Sequence, residues 1–511
     1  MDLVKDSFIC SLIARCWMVI LGVWRESFCA SILARLGAAV SKLWKSSYAG
    51  FIISRDSRID RLWKESGTYR LLSSVLDFIP RLLHRIYSRS REIWEGSLVF
   101  RAADYCGERN FILISWVLLM LLVTPQDYWN NVYSLAAVML LLVLFLVASM
   151  GSRAYRLSLE DIGFFPVAFA GMVFVAFLTS SYRSASFRFL IFHITCMLAV
   201  LVCVNSIKKL SQLRRILGFA VFGVLASSIC GLVQRAMGVE VDKLLVDITV
   251  NEGIPGRVFS FFENPNSFAM VLVMLLPICI AMALTSKGKM LFFYAGALVL
   301  GVIALVMTYS RGAWASFAFS IFVMFLVLWP RYVPLFIACC ILALPVLPQS
   351  VYNRLLSAFN FSDSSIATRK YIYEASWALF TQNPLWGVGL GNDVVKIRIA
   401  EAEVYKAQAV FVHAHSIYLQ IAAEMGIFGI TAFVGSMISG IKSGVKAVTE
   451  KRVDRELQLI IGALVAGLAG VLLNGLVDYP WSYPRVMVIF WIVFALLLSG
   501  VKLANSNNEF N

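Results

Sequence analysis

The sequence predicts an all-α polytopic membrane protein with about twelve transmembrane helices, and three observations carry that prediction. Hydrophobic residues make up 60% of the 511-residue chain, where soluble globular chains run nearer 45–50%, and mean hydropathy is +0.79. Stretches such as Ser134–Ser149 and Met290–Met307 carry no charge, and about 20 apolar residues span a bilayer core. The apolar runs are continuous rather than alternating, which excludes barrel strands.

The net charge of +15 fits Lys and Arg gathered in cytoplasmic loops better than nucleic-acid binding. The ten cysteines are scattered without metal-ligand spacing, Cys339-Cys340 lying inside one apolar run, and read as buried small hydrophobes. The early apolar runs are short and broken by Arg15, Arg25 and Arg35, unlike a cleavable signal.

Residues 1–109 stand apart as an arm. A degenerate repeat of about 20 residues runs through them: Ser7-Phe8 to Ala14-Arg15, Ser27-Phe28 to Ala34-Arg35, Ser47-Tyr48 to Ser54-Arg55. Trp motifs recur as Val23-Trp24-Arg25-Glu26-Ser27, Leu43-Trp44-Lys45-Ser46-Ser47, Leu62-Trp63-Lys64-Glu65-Ser66 and Ile93-Trp94-Glu95-Gly96-Ser97. The arm holds 17 Lys+Arg against 11 Asp+Glu, a surplus of 6. Such a composition fits helices lying on the cytoplasmic membrane surface as well as it fits a helical solenoid or partner-docking arm.

Twelve apolar segments follow, near 110–125, 131–150, 161–180, 187–207, 214–236, 266–285, 290–309, 312–329, 332–349, 413–440, 457–477 and 484–503, ahead of a polar tail at 504–511. One set of loops is basic, with Arg153 and Arg156; Lys208, Lys209, Arg214 and Arg215; Lys287 and Lys289; Arg331; and Lys442, Lys446, Lys451, Arg452 and Arg455. The alternate set has only Arg183 and Arg485 in its short loops. The first set is therefore expected in the cytoplasm, with both termini. Two long connections, 237–265 and 350–412, fall outside. The second carries helix-like sequence around Arg369–Phe380 and Gly387-Val388-Gly389-Leu390-Gly391, and is expected to be an ordered outer domain. The glycines suit a turn closing a helix better than a phosphate cradle, since no strand precedes them.

Three residues flank apolar segments on that outer side. Arg257 precedes Asn264-Pro265-Asn266, where Asn264 is placed to cap the sixth span. Arg311, in Tyr309-Ser310-Arg311-Gly312-Ala313-Trp314, sits against the positive-inside tendency. Gly312 permits close approach, and the helix start beside it favours an anion. A salt bridge to Asp363 or Glu374 is the alternative for Arg311. His415 begins the tenth segment in His413-Ala414-His415-Ser416. On one helix the two histidines would point roughly 200° apart, poor joint metal ligands with no carboxylate partner evident nearby. Glu424 would lie on the face opposite His415, making a hydrogen bond within the bundle.

These motifs carry a resemblance. His415-Ser416-x-x-Leu419-Gln420-x-x-x-Glu424-x-Gly426-x-x-Gly429 resembles the His-Asn-x-x-Leu…Glu-x-Gly-x-x-Gly signature of the O-antigen ligase and polymerase superfamily, with Ser416 where Asn is commoner. Ser310-Arg311-Gly312-Ala313-Trp314 resembles its Ser-Arg-Gly-Ala turn. Arg257 with Asn264-Pro265-Asn266, and Arg369…Asn383-Pro384-Leu385-x-Gly387-x-Gly389, resemble further family segments. The likeness covers roughly residues 110–500. It implies a C-type glycosyltransferase-like fold in the bacterial plasma membrane. It also implies metal-independent, inverting transfer of a glycan from a polyprenyl-diphosphate carrier such as undecaprenyl diphosphate to an acceptor hydroxyl on a glycan, lipid or protein, without a cofactor. By that likeness His415 is the general base, Arg257, Arg311 and Arg369 hold the diphosphate, and Asn266, Ser310, Gly312 and Glu424 support them. A polysaccharide polymerase shares the chemistry. A transporter or flippase would place its charges near the midplane, and a non-catalytic scaffold leaves Arg311 without a role.

Overall fold

The computed structural model describes residues 15–506 except 16–17, 20–21, 25, 48–57, 153–154, 240–255, 347–348, 350, 353–363, 406–410 and 451–452. Ser7-Phe8, Ala14, Tyr48, Ser54-Arg55, Arg153, Asp363, Lys451 and Arg452 lie outside the described residues. The described chain is helical throughout, without strands.

The arm comprises α1 (Phe28–Ser46), α2 (Arg58–Glu65), α3 (Gly67–Arg89), α4 (Arg91–Gly96) and α5 (Leu98–Glu108). Its Trp repeat is a helix-breaking device. In each copy the Ser three residues after the Trp turns its backbone N–H onto the Trp carbonyl: Ser27 onto Trp24, Ser47 onto Trp44, Ser66 onto Trp63 and Ser97 onto Trp94. Ser27, Ser66 and Ser97 then accept from Ala30, Tyr69 and Phe100 at the start of the next helix. One serine thus ends one helix through its N–H and caps the next through its hydroxyl.

The bundle follows: α6 (Asn110–Val123), α7 (Asn131–Gly151), α8 (Phe164–Thr179), α9 (Arg183–Ser206), α10 (Leu210–Ala236), α11 (Pro265–Leu284), α12 (Lys289–Met307), α13 (Arg311–Leu328), α14 (Val333–Ala343), α17 (Ile417–Glu450), α18 (Arg455–Asn474) and α19 (Pro484–Ser506), with α15 (Ser364–Gln382) and α16 (Asn392–Glu401) between α14 and α17. Every expected apolar segment is a helix, but among the described residues nine are long and apolar enough to cross a membrane, or ten if α5 and α6, bent by 73°, form one span. The expected twelve are not reached by that measure because α8, α14 and α6 have 16, 11 and 14 residues, and α6 is bent away from α5 at Arg109. There Asn110 is pulled inward by bonds to the Leu141 carbonyl and Ser206.

Helices α18 and α19 form the centre, lined by Leu464, Val465, Ile489 and Trp491 among others. α18 packs against α11 and α13. Gly467 faces the Met274 carbonyl so closely that a Cβ has no room, the small-residue contact by which membrane helices associate without a hydrophobic driving force. The cysteines divide: Cys196, Cys203 and Cys279 are buried, while Cys29, Cys106, Cys339 and Cys340 are exposed, correcting their reading as buried hydrophobes.

Up-and-down connection gives the bundle two unlike ends. One gathers the basic loops: Arg214 pairs with Glu456 and donates to Ser286 (2.9 Å), joining α10, α18 and the end of α11, and Lys502 donates to the Val204 carbonyl. The other gathers the α12–α13 turn, the segment before α11, the start of α17 and the loop after α18. There the 350–412 connection is ordered wherever it is described. α15, α16 and their turn share a small core of Ile372, Leu379, Val388, Val394 and Ile399.

Candidate functional site

At that second end the sequence-picked residues meet through named contacts. Arg257 donates to the Thr308 carbonyl (2.7 Å) and to Asn266 Oδ1 (2.8 Å). Val258 N–H donates to the Met307 carbonyl. The Arg257 segment is thereby fastened to the turn that carries Arg311. Asn264 caps α11 and Pro265 occupies its first turn, as expected. Ser310 precedes α13 without a side-chain cap bond, and Arg311 is the first residue of that helix, so the guanidinium issues from the positive end of the helix dipole. Gly312 seats the turn on the end of α18: a Cβ there would lie 3.3 Å from Val477 and 3.6 Å from Asn474.

The loop beginning with Asn474 leads to the histidines. Asp478 Oδ1 lies 3.8 Å from His415 Nδ1, an ion-pair separation too long for a hydrogen bond. Ser416 Oγ and the Ile417 N–H both donate to the Gly475 carbonyl. On α15, Tyr373 donates to the His415 carbonyl (3.2 Å). Arg369, one turn earlier, acts electrostatically on Asp478 and His413. Glu374 pairs with Lys370.

Two expectations about His415 fail. It does not begin a helix: α17 starts at Ile417, and His415 holds φ +45°. With no helical spacing between them, the His413 and His415 rings lie 4.2 Å apart, centroid to centroid, rather than on opposite faces. A carboxylate partner, Asp478, is also present. It escaped notice in sequence because it lies about 60 residues downstream, the lone acid in an otherwise apolar and aromatic connection. Among the described residues no group of three or more His, Cys, Asp or Glu is placed to hold a metal ion.

The electrostatics follow from burial and neighbours. Burial, with His415 and Arg369 adding to it, drives His413 down to about 3, so it is neutral. Its Nδ1 faces the His415 N–H at 3.1 Å and so serves as acceptor. Burial pushes the Asp478 carboxyl up, but His415 and the Arg369 charge outweigh that, leaving it below its ordinary value and ionised.

Backbone strain concentrates here. Among the described residues four non-glycine positions have positive φ: Ser260, Tyr309, His415 and Glu403. The first three stand within three residues of Arg257, Arg311 and His415 or are that residue. Such conformations cost about 1–3 kcal/mol each and persist where the surroundings over-determine them.

Glu424 joins the His loop to the Gly turn. Ala414 N–H donates to Gln420 Oε1 (2.8 Å), Gln420 Nε2 donates to Glu424 Oε1 (2.7 Å), and the Gly391 N–H reaches the Glu424 carboxylate. α17 is broken just beyond, at Gly426 (φ +65°). Freed backbone groups at the break are taken up by the turn: Val388 N–H donates to the Ala423 carbonyl, Gly389 N–H to the Glu424 carbonyl, and Ile427 N–H to the Pro384 carbonyl. The glycines do close α15, with Gly387 N–H on the Asn383 carbonyl, but their larger task is stitching a broken membrane helix. Gly391 meets the Phe189 ring and Gly426 the Leu385 carbonyl too closely for a Cβ.

Residues 296–434 match the family model for O-antigen ligase. Through that segment the chain is similar to the O-antigen ligase and polymerase superfamily. No curated protein matches the chain at a significant level. The O-antigen ligase segment contains Arg311, Arg369, His415 and the Glu424 junction, while Arg257 and Asp478 lie outside it and are brought to it by the fold.

Proposed function

We propose that this membrane glycan ligase or polymerase moves a glycan from a polyprenyl-diphosphate carrier to an acceptor hydroxyl, on the extracytoplasmic side of the bacterial plasma membrane. One observation carries the reading: Arg257 is bonded to the turn bearing Arg311, and that turn is seated on the loop whose Asp478 faces His415.

In this reading Arg257, Arg311 and Arg369 bind the donor diphosphate. Bidentate guanidinium–phosphate contacts are strong and directional. They also oppose the charge that develops on the departing diphosphate, where electrostatic stabilisation acts most, which makes a metal-independent reaction feasible. His415 takes the proton of the attacking hydroxyl as that oxygen bonds to the anomeric carbon and the diphosphate leaves from the opposite face, giving inversion. Asp478, at Nδ1, orients the ring and stabilises the imidazolium, a role that fits the 3.8 Å separation if the contact tightens around substrate. It also counters the positive charge of the arginines. Asn266, Ser310 and Gly312 position the arginines, and Glu424 positions the His loop through Gln420. The α15–α16 domain borders the acceptor side, and the lipid tail lies between helices. The arm faces the cytoplasm with both termini.

The test is transfer by purified protein with a polyprenyl-diphosphate-linked glycan, with and without a chelator. Undiminished transfer in EDTA is expected. Activity lost to EDTA and restored by a divalent ion defeats the metal-independent mechanism.

A further inference from the structure

The arm has no part in that chemistry, yet helix α3 builds a site of its own at the basic end of the bundle. Met150, at the far end of α7 from the candidate site, accepts a hydrogen bond from His84 Nδ1 (2.8 Å). That contact lies roughly 30 Å along α7 from its start at Asn131. Around it is a polar cavity of about 320 Å³ whose lining includes Asp77, Arg81, His84, Arg85, Tyr155 and Arg156. Arg81 is held by Asp77 (3.2 Å) and by the Ser74 and Asp77 carbonyls. The Arg85 and Arg156 guanidiniums make no hydrogen bond or ion pair among the described residues. With one acid against three arginines, the cavity carries an excess of two positive charges.

The same face of α3 continues into an apolar cavity of about 340 Å³. Leu72 and Leu76 close it from the arm, Val167 and Ala170 from α8, Leu198 from α9, and Trp491 forms part of its lining. Leu72, Leu76, Pro80, His84 and Ser88 recur every four residues and form one ridge that winds around α3 from the apolar cavity to the polar one. Away from that ridge α3 exposes Leu71, Phe78, Leu82 and Ile86, a stripe suited to the acyl region of an interface.

We propose that this pair of cavities binds one anionic glycerophospholipid of the adjoining leaflet, its phosphate against Arg81, Arg85 and Arg156 and one acyl chain in the apolar cavity, fastening the arm to the bundle. The guanidiniums are largely exposed, so each contact is weak. That suits a ligand present at bilayer concentration rather than a scarce carrier. The inference is independent of the transfer reaction.

The experiment is native mass spectrometry of the full chain with phosphatidylglycerol or phosphatidylcholine of equal chain length. The wild type is expected to retain phosphatidylglycerol roughly tenfold or more in preference. Arg85→Gln with Arg156→Gln, both at the surface, should bring that preference close to one. Ala170→Phe, which fills the apolar cavity, should weaken phosphatidylglycerol retention while the protein still elutes as a single species. An unchanged preference in the double arginine variant overturns the proposal. So does complete displacement by millimolar inorganic phosphate, which marks a free-phosphate site, or displacement by equimolar polyprenyl phosphate, which marks a carrier site.

Discussion

At the scale of single residues, His413 and Asp478 tie stability to pH. His413 is held near 3 when folded, against an ordinary value of about 6.5. The unfolded chain therefore binds its proton first as pH falls, and the stability His413 contributes, complete above about 6.5, drains away down to about 3. Asp478, with its carboxyl depressed, adds a loss of the same sign at lower pH. Thermal unfolding in detergent should show the protein weaker at pH 4.5 than at pH 7, and His413→Asn, which retains an acceptor for the His415 N–H, should shrink that difference. For turnover, Asp478→Asn should lower transfer by roughly one to two orders of magnitude, less than loss of the base itself, with donor affinity held. A Km effect alone would assign Asp478 to binding instead.

At the scale of elements, the broken helix α17 and the Gly turn form one unit, and its parts were unequally legible in sequence. The glycines at 387, 389, 391 and 426 were visible, as was a hydrogen-bonding role for Glu424. Their mutual attachment was not, because it joins residues about 35 apart through backbone bonds, which leave no periodic signature. The unit predicts a contrast. Glu424→Leu strands two buried donors, Gln420 Nε2 and the Gly391 N–H, and should destabilise by about 2–5 kcal/mol, whereas Glu424→Gln should cost about 1 kcal/mol. Equal losses in chemical unfolding would remove the junction. Arg485 is a second case. Counted as an outer-loop charge, it is only 2% exposed, in the first turn of α19. It donates to the Leu121 and Phe261 carbonyls (2.6 and 3.1 Å) and lies over the Phe262 and Trp129 rings. Sequence alone read the charge and not the carbonyls, because those acceptors belong to backbone hundreds of residues away. Arg485→Met should loosen residues 259–263, seen as faster hydrogen exchange there, and weaken donor binding through Arg257.

At the scale of the whole molecule, polytopic helical class, segment order and the gathering of basic loops at one end were readable from hydropathy and charge, since the bilayer dictates both. The length of each helix was not, because α8 and α14 are apolar in composition but short in extent. The candidate site was readable as three points proposed to act together, Arg257, Arg311 and His415. Its fourth, Asp478, and its conformational strain were not, since both arise only when distant turns are packed together. The most direct measurement is a single turnover of purified protein with polyprenyl-diphosphate-linked glycan and an acceptor, with products identified by mass. Wild type is expected to yield lengthened acceptor and free polyprenyl diphosphate. His415→Ala should bind donor normally but transfer at least about 100-fold more slowly, and Arg311→Ala should lose both donor binding and transfer. Transfer at the wild-type rate by His415→Ala would contradict the assignment of the base and, with it, the functional reading of this end of the bundle.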